Sequence, residues 1–170
     1  MKDADVDLHR TNQWLTNSGL KAETEGLIIA AQDQSLGTRF YHNSNIIKDG
    51  TSPLCRICGM FDESVDYVIS GCRELAKSEY IQRHDNALSY IHWKLCHNYN
   101  IMTSADKWYE HKPETVVENE QAPILWNMPI HTDREIRANK PDIIIREHTK
   151  QRCWIIDLAV PLDRTIHRLR

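Results

Sequence analysis

Asp142 and Asp157 lie in two apolar runs near the end of the chain, Lys140-Pro141-Asp142-Ile143-Ile144-Ile145 and Cys153-Trp154-Ile155-Ile156-Asp157-Leu158-Ala159-Val160-Pro161. Fourteen residues separate the two carboxylates. An antiparallel hairpin of that length can bring them together. Two close carboxylates make a hard oxygen site suited to Mg²⁺, which takes one or two protein carboxylates and completes its shell with phosphate and water. That is the start of a phosphodiester-cleaving metal site. A Pro-Asp…Asp pattern alone is common, and aspartates at strand ends also cap turns or pair with arginine.

The second chemical constellation is Cys55-Arg56-Ile57-Cys58, followed by Gly59 and, further on, Cys72. Two thiolates at Cys-x-x-Cys spacing can sit on one turn and share a metal, and zinc takes four thiolate or imidazole ligands. The fourth is missing at the expected place. No histidine lies between Cys58 and Cys72, and Tyr67 stands five residues before Cys72, where a His-x4-Cys pair needs one. Neutral tyrosine is a poor zinc ligand. Asp62, Glu63 and Asp66 are oxygen donors nearby, and His84 is a more distant nitrogen donor. Read blandly, the same thiols are small buried hydrophobes in a loop.

These side chains need elements to hold them. The two apolar runs read as β-strands joined by a polar loop, Arg146 to Arg152, with Pro141 at a strand start, where a missing N–H does no harm. Lys77 to Tyr99 is the clearest helix, with Ile81, His84, Leu88, Ile91, Leu95 and Tyr99 on one stripe. His92 reads as a packing histidine rather than a ligand. A helix is also predicted from Leu20 to Tyr41, with Ser18 as its N-cap and a packing role. Trp108 and Tyr109 mark an anchored turn in a polar stretch, and Ile124-Leu125-Trp126 a short strand or helix start. The fold class expected is therefore α+β.

Composition narrows the function classes. The 170 residues suffice for one ordinary domain or two small ones, at 41% apolar and 26% charged. No apolar run approaches a membrane span, and the acidic start Met1-Lys2-Asp3-Ala4-Asp5-Val6-Asp7 has no signal core, so an intracellular location is expected. Five cysteines, an odd number, argue against a closed disulfide framework. The net charge of −3 gives no global attraction to nucleic acid, so any such binding needs a local patch.

The order of short motifs carries a resemblance over residues 20–166. It runs through Ala30-Ala31-Gln32-Asp33-Gln34, the Cys55–Cys58 pair, Ser70-Gly71-Cys72, Glu79-Tyr80-Ile81 with Arg83-His84-Asp85, and Ile91-His92-Trp93-Lys94-Leu95-Cys96. It continues through Ile124-Leu125-Trp126, His131-Thr132-Asp133, Ala138-Asn139-Lys140-Pro141-Asp142-Ile143 and Ile156-Asp157-Leu158-Ala159-Val160-Pro161. Together these resemble the C-terminal region of animal non-LTR retrotransposon polyproteins, the type that pairs a reverse transcriptase with a restriction-like endonuclease.

The resemblance implies a Cys-Cys-His-Cys zinc knuckle that contacts nucleic acid, followed by a nuclease of the PD-(D/E)xK class that nicks target DNA for reverse transcription. By that resemblance Cys55, Cys58 and Cys72 match three ligands of Zn²⁺, while His84 is the chain's own candidate for the fourth. Asp142 and Asp157 match the two catalytic Mg²⁺ acids, and, apart from the resemblance, Arg56, Lys140, Arg164 and Arg168 are the basic side chains expected to contact DNA and RNA. The expected layout is a lead-in (1–19), a helical region around the cysteine knuckle (20–100), a linker (101–114) and a partial PD-(D/E)xK-like nuclease sheet (115–170). Family members act in the nucleus, and no membrane partner is implied. Two departures matter, one for the zinc site and one for cleavage. Tyr67 replaces the knuckle histidine, and Ala159 stands where the nuclease lysine belongs, with only Arg164, Arg168 and Arg170 beyond it. Arginine keeps its charge and cannot readily transfer a proton. The chain is therefore expected to be an inactive fragment of a longer polyprotein. The alternative is a non-catalytic binding module or a structural remnant.

Overall fold

The structure, a computed structural model, describes residues 19–46, 50–103, 105–131, 133–134 and 139–160, with the single positions 7, 9, 13 and 16. It separates into two compact units, residues 1–74 and 75–170.

The first unit contains α1 (Ala22–Gln32), α2 (Arg39–Tyr41) with a π turn after it (His42–Ile46), and α3 (Val65–Ser70). The helix predicted as far as Tyr41 stops at Gln32. Gln34 enters the left-handed region at φ 57°, Ser35 N–H reaches back to the Ala30 carbonyl (2.8 Å), and Gln34 N–H to that of Ala31 (3.2 Å). This pairing satisfies the last carbonyls and closes a helix. The chain turns helical again at α2, where the Thr38 hydroxyl accepts the Tyr41 N–H. The expected cap, Ser18, lies outside the described residues. α1 buries no residue, and Leu27 and Ile29 stay exposed.

α4 (Arg73–Ala76) spans the divide between the units, and α5 (Glu79–Asn98) belongs to the second. Four strands follow: β1 (Val116–Glu118), β2 (Pro123–Trp126), β3 (Ile143–Glu147) and β4 (Arg152–Ile156). They form one antiparallel meander in the order β1-β2-β3-β4. Val117, Ile124, Ile145 and Trp154 line up in register across it. With a side-chain period of two, Trp126, Ile143 and Ile156 share that face. Against it pack Leu88 and Cys96 of α5, with Ile91, Leu95 and Tyr99 around them, and Ile101 and Ala122 complete the core. Each aliphatic side chain fully buried here, such as Ile124 or Ile143, stabilises the fold by about 1.5–3 kcal/mol.

The α+β class is thus observed, and so is the pairing of the two C-terminal runs. Three details differ from expectation. β3 continues through Glu147, so the turn is shorter than Arg146 to Arg152, and Glu147 pairs directly with Arg152. α5 groups with the sheet rather than with the cysteines, because its apolar stripe is half of the sheet's core. Residues 101–114 are more than a linker. Ile101 and His111 are buried, and the Ser89 hydroxyl donates to the His111 carbonyl (2.9 Å). Among the described residues no helix is long and apolar enough to cross a membrane.

Candidate metal centre and aspartate hairpin

A tight loop brings the cysteines together. Leu54 and Asp62 form an antiparallel bridge, Cys55 N–H donates to the Phe61 carbonyl, and Gly59 N–H donates to the Cys55 carbonyl, both at 2.8 Å. Gly59 reverses the chain at φ 67°, where a Cβ is unfavourable. α3 then begins at Ser64, whose hydroxyl accepts the Tyr67 N–H (3.1 Å), and Cys72 follows the helix end at Gly71. Cys55, Cys58 and Cys72 point their sulfurs to one place, all within 4.8 Å of one another, with the Cys55 and Cys72 sulfurs 4.0 Å apart. Cys55 and Cys72 are buried and Cys58 is half-buried. Three such donors are close enough to hold a metal ion and are compatible with zinc.

Tyr67 lies against this group, with its hydroxyl 3.1 Å from the Cys58 sulfur. That hydrogen bond, then one from the Met60 backbone, draws the Cys58 thiol down to about 7 against the opposing effect of burial. The same contact, then burial, pushes the Tyr67 phenol up. Glu63, in the same loop, is buried and already engaged. It accepts from Arg39 N–H (3.0 Å), Arg56 N–H (2.7 Å) and the Arg56 guanidinium. Burial alone would raise its pKa, but the Arg56 side chain and the two backbone N–H groups outweigh it and hold the carboxyl at about 2. Arg56 therefore spends much of its charge inside the loop.

His84 does not join the cysteines. It lies in the second unit, where its Nδ1 is 3.1 Å from Asp85 and its Nε2 is 3.0 Å from the Leu158 carbonyl and 3.4 Å from Asp142 Oδ2. The Asp85 contact, opposed by burial and aided by Asp142, raises its pKa and favours the imidazolium. A helix position chosen from sequence as a distant zinc donor instead lies beside the hairpin aspartate.

The aspartates flank paired residues, since Ile143 faces Ile156. Asp142 and Asp157 are therefore opposite each other one step beyond the ladder. Asp142 turns its Oδ2 to the Leu158 N–H (2.7 Å) as well as to His84. Asp157 is exposed. Neither aspartate belongs to a group of three or more metal-ligating atoms among the described residues. Lys140 is exposed just before the hairpin, and Arg164 and Arg168 lie outside the described residues.

Two features were missed at the level of sequence. Arg39 and Arg73 lie at the cysteine loop, with Arg39 Nη1 3.4 Å from the Leu54 carbonyl and Arg73 Nη1 3.7 Å from Met60 Sδ. Beside them Ile57, Met60 and Phe61 are exposed. Elsewhere, His92 Nδ1 and His111 Nε2 share a buried hydrogen bond of 2.8 Å, with the Cys96 sulfur 3.6 Å from His92. Burial, then the neighbouring imidazole, draws His92 down to about 4, and burial lowers His111 as well. The packing role read for His92 agrees with its complete burial. No family model, no curated protein and no solved structure matches this chain.

Proposed function

We propose that this chain is a retrotransposon-derived nucleic-acid-binding module, a zinc knuckle followed by a nuclease-type sheet that no longer cuts. The observation that carries the non-cutting half is the engagement of Asp142. A metal-binding acid must offer its carboxylate to the ion, whereas Oδ2 of this one already accepts the Leu158 N–H and lies 3.4 Å from His84 Nε2. Ala159 supports the same reading, since a nuclease lysine is lacking there. The converged sulfurs support the knuckle, and zinc is the ion best suited to thiolate donors inside a cell. Exposed Phe61 beside Arg39 and Arg73 supports the binding role. Base stacking on an aromatic ring with cations along the backbone is how single strands are held without sequence readout. Bound to DNA or RNA in the nucleus, such a module acts by attachment and not by cleavage.

The test is paired. A plasmid-nicking assay with Mg²⁺ or Mn²⁺ compares the chain with Asp142→Ala, and neither protein is expected to nick. Nicking that disappears in the variant would restore the endonuclease reading. A gel shift with single-stranded DNA and RNA across a salt series should show binding that weakens as salt rises, because phosphate contacts release counterions. Absence of any shift at low salt would leave only a structural remnant.

A further inference from the structure

The geometry points to a three-thiolate metal site that Tyr67 borders without coordinating, leaving one coordination position to an imidazole-type donor that is not among the described residues. The inference rests on the metal-site reading of Cys55, Cys58 and Cys72.

Four observations carry it. First, the sulfur group contains three members and no fourth histidine, cysteine or carboxylate among the described residues. Glu63, an acid of the same loop, is consumed by Arg56 and Arg39. Second, the Tyr67 hydroxyl is at hydrogen-bond distance from a sulfur, 3.1 Å from Cys58. A thiolate has no proton to give, so towards it the hydroxyl is the donor. Third, the ring is locked in that position. It packs on Phe61 with centroids 5.5 Å apart, and Gly71 leaves it room. A Cβ on Gly71 would come within 2.6 Å of Tyr67 Cδ2 and 3.0 Å of Cε2. Fourth, Cys58 is the half-buried member of the trio, so the group is reached from the Cys58 side.

Zinc completes four positions, and three protein ligands with one open position is the arrangement that admits an outside ligand. Three thiolates already overcompensate a divalent ion. A neutral nitrogen adds no further negative charge, which favours imidazole over a fourth thiolate. The hydrogen bond from Tyr67 acts on the Cys58 sulfur from outside the coordination shell. It orients that ligand and tempers its charge, as outer-shell partners do.

The experiment uses the full chain with Co²⁺ as a spectroscopic substitute for Zn²⁺, followed by Zn²⁺ competition, with imidazole as the probe. The wild-type chain should bind one Co²⁺ with three-thiolate charge-transfer intensity, and added imidazole should shift the visible ligand-field bands. Tyr67→His should show the shifted spectrum without imidazole and bind Zn²⁺ at least about tenfold more tightly, a direct ligand being worth no less than an outer-shell partner. Tyr67→Phe, which keeps the ring on Phe61 and Gly71, should keep the metal and the imidazole response. Two results would overturn the inference while leaving the metal site standing: a wild-type spectrum indifferent to imidazole, or a Tyr67→Phe chain whose ligand field changes as if a ligand had been lost. Lack of any thiolate charge-transfer band would overturn the metal site and the inference with it.

Discussion

Glu63 shows how much a single side chain organises in the cysteine loop. A buried carboxylate is costly unless its lone pairs are filled. Here two backbone N–H groups and a guanidinium fill them, tying α2 to the loop that carries Cys55 and Cys58. Because its folded pKa of about 2 lies below the ordinary carboxylate value, the carboxylate contributes stability that is complete above about pH 4.5 and is lost as pH falls towards 2. In metal-free buffer, thermal unfolding of the first unit should therefore lose stability steeply over that window. Glu63→Gln should flatten the acid dependence and cost about 2 kcal/mol at neutral pH, the scale of hydrogen bonds to a charged group. An unchanged acid slope in the variant would sink the assignment. Nothing in the sequence distinguished Glu63 from Asp62 or Asp66 as a stray oxygen donor. Its partners lie 24 and 7 residues away, and the bridge at Leu54 and Asp62 closes only the shorter of these separations.

At the scale of elements, legibility followed periodicity. α5 and the β3–β4 hairpin were readable because each carries a long apolar pattern at its own period, and the structure pairs and packs those faces. α1 was read as a packing helix, yet it buries nothing, since an apolar count without a consistent stripe does not define a buried face. Grouping α5 with the cysteines failed for a related reason. A stripe shows that a helix has a partner and not which partner. The same limit hid His84, whose contacts at Asp142 and Leu158 are set by how α5 crosses the sheet. A consequence can be measured. Leu88 is fully buried in the middle of α5 and belongs to the same core as Ile124, Ile143 and Ile145. Leu88→Ala should cost about 2–5 kcal/mol. The loss should appear together in α5 and all four strands, followed by hydrogen exchange. Fraying of α5 alone, with the sheet still protected, would show that the helix and sheet do not form one core.

At the scale of the whole molecule, the chain holds its two candidate sites in separate compact units. The sulfurs of Cys55, Cys58 and Cys72 lie in residues 1–74, and the His84–Asp142 contact in residues 75–170. The two units rely on different sources of stability. In the second unit, buried aliphatic side chains of the sheet meet α5. Among the described residues of the first, the buried hydrophobic ones are Cys55, Cys72 and Val65. Such a unit depends on polar ties and on whatever the thiols hold. A ligand that binds only the folded form stabilises by mass action, by about 2.7 kcal/mol at a hundredfold excess over its dissociation constant. Zn²⁺ should therefore slow hydrogen exchange over 54–72 by roughly two orders of magnitude at that excess, and leave Glu79–Asn98 and the four strands unchanged. Chelation should reverse the effect. Protection that rises equally in both units would mean that the metal stabilises the chain as a single cooperative body, and the division of labour proposed for the sulfurs and the sheet would fall.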